Sequence, residues 1–140
     1  MHYDHLIKNL PALFCALFVA ILFLQSGLDK VFDWKGNIEW LTGHFSKTFL
    51  APFTKIMVAK ITVLELLTGL AATAGIVYFF VAGSTIIIFY AAALAALTIT
   101  GLFFGQRVAK DYAGAAVLVP YFLLTIVLMF LTMPSAIGGK

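Results

Sequence analysis

Long apolar runs alternate with short polar breaks along the chain, and the breaks fall at intervals that suit a bilayer. Leu10 to Leu24 is apolar throughout apart from Pro11, which stands where a first helical turn tolerates proline. A span needs roughly 20 residues, so this helix is expected to run on through Gln25-Ser-Gly-Leu-Asp29-Lys30 to about Phe32. No small-residue cleavage site follows it, which favours a retained span over a leader. From Pro52 the chain is apolar almost to Phe104, too long for one crossing, and Ala82-Gly83-Ser84 is the economical place to turn. After the loop Gly105 to Asp111, a last run from Tyr112 to Met133 contains Pro120, which predicts a kink. The spans are placed at 10–32, 53–80, 85–104 and 112–133.

The longest connection also carries a helical pattern. Ile38, Leu41, Phe45 and Phe49 recur at helical spacing, while Glu39, Thr42, Ser46 and Lys47 fall mostly elsewhere on the wheel. A short amphipathic helix over 36–50, lying in the interface, is the expectation. Trp34 and Trp40 are suited to headgroup depth. The fold class is therefore an all-α integral membrane protein: a single-domain bundle of four transmembrane helices with one interfacial helix between spans 1 and 2.

Composition narrows the class. Of 140 residues, 63% are hydrophobic and only 11% charged, too few to clothe a soluble surface. The net charge of +3 comes from scattered residues at the ends of apolar runs, which argues against a nucleic-acid groove and for snorkelling and topology signals. Counting lysines and arginines favours cytoplasmic loops and external termini. The lone Cys15 excludes a disulfide framework or a cysteine metal cluster and reads as a small packing residue. His2 and His5, near the chain end, and His44, in the long connection, are read as incidental, and no metal site is expected.

Against this background Glu65 stands out. It lies well inside the second span, on a stripe with Thr62, Thr68, Gly69 and Ala72 of the kind that faces other helices. A carboxylate facing acyl chains costs several kcal/mol, roughly 3 to above 10 depending on method, so it must be neutral, paired or turned inward. Gln25 and Asp29 share one helical face, and Ser26 and Lys30 share another. Gln25, Asp29, Lys30, Lys60 and Glu65 are the candidate polar cluster. It serves either as a clasp fixing helix register or as a site for a quinone headgroup, another polar ligand or a proton. Gly69, Ala92, Ala96 and Pro120 are the candidate helix-packing positions.

Gly27-Leu-Asp-Lys30 closing the first span and Glu65-Leu-Leu-Thr-Gly69 inside the second resemble the DoxX family of small bacterial membrane proteins. The resemblance covers nearly the whole length. It implies a four-helix bundle in the bacterial cytoplasmic (inner) membrane, often linked to quinone-dependent redox systems. Relatives often carry an arginine soon after the glycine ending the second helix, whereas Ile76 to Ser84 here is uncharged.

No Ser-His-Asp set, phosphate-cradling glycine loop or H-E-x-x-H is present, and no span contains a histidine pair for haem. Three roles follow as expectations: a non-catalytic accessory subunit of a quinone-linked redox system, a small-molecule or proton-linked transporter, or a membrane assembly factor. The expected partners are the lipid bilayer and other membrane subunits or a second copy of the chain. No cofactor is expected in the chain itself, beyond contact with a quinone or lipid.

Overall fold

The structure, a computed structural model, describes residues 3–134. It contains α1 (Tyr3–Lys8), α2 (Leu10–Phe32), α3 (Trp34–His44), a 3-10 turn (Ala51–Phe53), α4 (Thr54–Ala82), α5 (Ile86–Val108) and α6 (Tyr112–Thr132). No strand occurs among the described residues. Helices α2, α4, α5 and α6 are long and apolar enough to cross a membrane, and they form one bundle. His2 and Lys140 lie outside the described residues.

Each helix boundary has a local cause. Helix α4 ends where Gly83 adopts φ 73°, a left-handed conformation that costs glycine little, and its N–H reaches the Phe79 carbonyl at 2.7 Å. The Asp111 side chain caps α6 by accepting from the Gly114 N–H at 2.9 Å. Helix α5 continues to Val108, beyond the expected end near Phe104: Gly105 is tolerated inside the helix at a cost of about 1 kcal/mol, and Gln106 and Arg107 are good helix formers. Pro120 lies inside α6 on its exposed face, and the helix continues past it to Thr132.

The interfacial helix is shorter than the expected 36–50. Helix α3 stops at His44, and hydroxyl groups then draw the backbone into turns. Thr48 Oγ1 donates to the Phe45 carbonyl at 2.9 Å and accepts from the Leu50 N–H at 3.2 Å. As a result Phe45 and Leu50 are buried, whereas Phe49 is left exposed.

Around the bundle, α2 packs on α4, α4 on α5 and α5 on α6, with a lighter contact closing α6 back onto α2. The core is built from Ala16, Val19 and Phe23 of α2, Ala72 and Phe79 of α4, Ala92, Ala95 and Ile99 of α5, and Leu128 of α6. Small side chains bring the axes close. A Cβ at Gly69 would lie 2.9 Å from the backbone nitrogen of Leu24, and one at Gly27 would lie 2.7 Å from the Leu66 side chain.

These two contacts fix an antiparallel register, Gly27 against Leu66 and Leu24 against Gly69. Phe32 at the end of α2 is then level with about Ile61. The first two turns of α4 stand past the end of α2, alongside α3.

Buried hydroxyls are satisfied without water. Thr62, Thr68, Thr98 and Thr132 each donate to the carbonyl four residues back at 2.7–2.8 Å. Thr68 and Thr98 also meet across the α4–α5 contact at 3.3 Å. This pattern suits an apolar solvent, where an unpaired polar group is costly.

Candidate functional site

The α2–α4 register carries Ser26 and Lys30 to the level of Glu65. Lys30 Nζ lies 2.8 Å from Glu65 Oε1, Ser26 Oγ donates to Glu65 Oε2, and Lys30 Nζ donates to Ser26 Oγ at 3.1 Å. The three side chains form a closed triangle. Glu65 is 1% exposed and Lys30 17%, so the carboxylate is the sealed member and the ammonium the accessible one. The Lys30 contact to Oε1 is an ion pair without hydrogen-bond geometry, and Oε1 has no hydrogen-bond donor among the described residues. Glu65 is eleven residues into α4 but only four past the level of Phe32, so it sits roughly 6 Å inside the end of α2.

On the outer side of Lys30 lies a cavity of about 270 Å³. Its walls come from α3 and the residues after it, from the overhanging start of α4, and from α5 and α6. Asn37, Trp40, Phe45, Ile61 and Gln106 are among them. The cavity reaches Lys30, while Glu65 stands behind it and does not line the space. Mostly apolar walls with a few polar groups are the usual make-up of a small-molecule site, though this volume falls at the small end, below about 300 Å³. One ring or a small headgroup fits there.

Of the five expected cluster residues, Lys30 and Glu65 meet. Gln25, Asp29 and Lys60 do not join them, and all three are exposed. Lys60 precedes Glu65 by five residues, which turns it about 140° away around the helix. Gln25 and Asp29 sit on the face of α2 that turns away from the seam formed by Gly27 and Leu24. Ser26 takes their place, and its i,i+4 spacing to Lys30 is the sequence signal for it. Among the expected packing positions Gly69 and Ala92 are buried and Ala96 is half-buried, whereas Pro120 is exposed.

Two histidines read as incidental hold elements together. His44 Nε2 donates to Gln106 Oε1 at 2.9 Å and lies 3.8 Å from Asp111 Oδ2, with Trp40 stacked on its ring at 4.8 Å. This ties the end of α3 to the end of α5, across the cavity beside Lys30. At the opposite end His5 Nε2 donates to the Gly83 carbonyl at 2.7 Å and its ring stacks on Phe79, which pins α1 to the α4–α5 turn. Both partners are more than sixty residues away along the chain, and no local spacing announces them. No group of His, Cys, Asp and Glu capable of holding a metal occurs among the described residues.

The fold and this site define a multi-pass helical membrane protein with a Lys–Ser–Glu triangle, its carboxylate buried, beside a small cavity. No family model, curated protein or solved structure matches the chain.

Proposed function

We propose that the chain is a non-catalytic binding subunit of a quinone-linked redox system in the bacterial inner membrane. In this reading the cavity beside Lys30 holds a quinone headgroup. The observation that carries it is an ammonium group at the wall of an apolar cavity, with its charge balanced from behind by Glu65. A lysine so neutralised offers an N–H to a carbonyl oxygen and has little surplus charge to attract an anion. A quinone is a flat apolar ring edged with carbonyl acceptors, and Trp40 and Phe45 offer it aromatic walls. The residues that carry the DoxX resemblance, Gly27, Lys30, Glu65 and Gly69, come together at this one place, which supports the redox association. The electron-transfer centre belongs to a partner subunit.

A proton-linked carrier fits less well. Glu65 is sealed within the triangle, and the threonine hydroxyls along the bundle bond back to their own helices instead of forming a polar path from it.

The test uses the full chain in lipid nanodiscs, titrated with a short-tailed ubiquinone and followed by quenching of tryptophan fluorescence. Lys30→Met should weaken binding about tenfold, the effect of one lost hydrogen bond to a charged donor. Lys8→Gln, at the other end of the bundle, should leave it unchanged. Equal affinity in wild type and Lys30→Met would remove the proposal.

A further inference from the structure

A second cavity, of about 630 Å³, opens at the same end of the bundle but on the other side of His44. It lies between the segment after α3 and the α5–α6 turn, with Lys47, Thr48, Phe49 and Lys110 among its walls and no acidic residue lining it. We propose that this cavity holds the phosphate headgroup of an anionic phospholipid drawn from the surrounding bilayer. The site is independent of the Lys30 cavity and of any ligand bound there.

Charge is the first support. Neither Lys47 nor Lys110 has an ion-pair partner among the described residues. Asp111, next to Lys110 in the chain, is already committed: Oδ1 accepts from the Gly114 N–H, and Oδ2 faces His44. Two unneutralised ammonium groups therefore share a polar recess with the hydroxyl of Ser46. Such basic pockets at the ends of membrane helices suit lipid phosphates.

Backbone conformation is the second. Lys110 has φ 60°, the one non-glycine residue in the left-handed region among those described. A side chain there costs about 1 kcal/mol or more, and glycine would avoid that cost. The turn carries a cation at this position despite the strain. The conformation closes α5, with the Asp111 N–H reaching the Gln106 carbonyl at 3.0 Å and the Lys110 N–H the Arg107 carbonyl at 3.1 Å, a helix ending at which glycine is the usual residue.

Position makes the source a lipid. Phe49 lines the cavity and is 68% exposed, while Phe104 and Tyr112 stand exposed on the neighbouring helix ends. Tyr112, the first residue of α6, marks the level where headgroups meet acyl chains.

The experiment purifies the full chain from mixed micelles of phosphatidylcholine and phosphatidylglycerol and counts the co-purifying lipids by mass spectrometry. Wild type should retain phosphatidylglycerol in preference. Each lysine removed should weaken that preference about fivefold, so the Lys47→Gln/Lys110→Gly double variant should lose nearly all of it. Lys8→Gln should leave it intact. Lys110→Gly relieves backbone strain, so this single variant stays folded and decides the matter even if the double variant does not. Unchanged lipid preference in Lys110→Gly overturns the proposal. So does loss of the bound lipid to excess inorganic phosphate at constant ionic strength, which would assign the cavity to a soluble anion.

Discussion

Glu65 and Lys30 are unequal partners, and the inequality predicts how each fails. Without Lys30 the carboxylate is left 99% buried with only Ser26 beside it, whereas without Glu65 the lysine is near enough to the helix end to reach polar surroundings. Lys30→Met should therefore destabilise the protein by about 3 kcal/mol or more, and Glu65→Gln by clearly less. Lys30→Met combined with Glu65→Leu should recover most of the loss, since an apolar pair leaves no charge behind. Thermal unfolding in detergent of both single variants and the double would decide this, and a double variant worse than either single would show that the triangle itself holds the bundle together. The sequence pointed to Glu65 because a carboxylate inside an apolar run needs an explanation, and to Lys30 because it closes the preceding helix. It could not choose between the two faces 25/29 and 26/30, because i,i+4 spacing alone says which side chains are neighbours and not which way they look. Gly27 settles the choice in three dimensions, by letting α4 approach on the side that carries Ser26.

Helices as units were the most legible part of the chain, because runs of apolar residues about as long as a bilayer is thick admit few other readings. Their ends were less so. Helix α3 was expected to reach residue 50, but Thr48 turned the backbone through contacts with Phe45 and Leu50 that helical periodicity does not register. Packing between helices follows from small residues, and Gly69 tests this most directly. Gly69→Ala places a methyl group 2.9 Å from the Leu24 backbone nitrogen, so α2 and α4 must separate, and a loss of about 1–3 kcal/mol is expected from overpacking. Gly43→Ala is the matched control. Its new methyl group meets nothing within 4 Å, and the gain in helix propensity should stabilise α3 by up to about 1 kcal/mol. Denaturant titrations of the two variants should move in opposite directions.

At the scale of the molecule, α3 is a cover over the Lys30 cavity, fastened at one end by His44 and Gln106. His44→Ala should release that end while leaving α2 and α4 packed as before. Hydrogen exchange read by mass spectrometry should then speed up across residues 34–44 and stay unchanged through the middle of α4. Uniform acceleration would mean that the fastening supports the whole bundle. The sequence held no trace of this link, nor of the one between His5 and Gly83, because each joins residues brought together only by the antiparallel return of the chain. Four crossings and their order could be read from apolar patterning, but the tying together of their ends could not.

The α2–α4 register also bears on how the chain enters the membrane during synthesis. Helix α2 emerges first and can be inserted alone, since Lys30 lies within two residues of its end. Helix α4 follows with an acidic group eleven residues in, whose charge the insertion machinery penalises unless it is paired. By then the lysine and serine that will receive it are already in place. Translation thus delivers the donors before the acceptor, and α4 is best accommodated as the second arm of a hairpin whose first arm is waiting at the translocon.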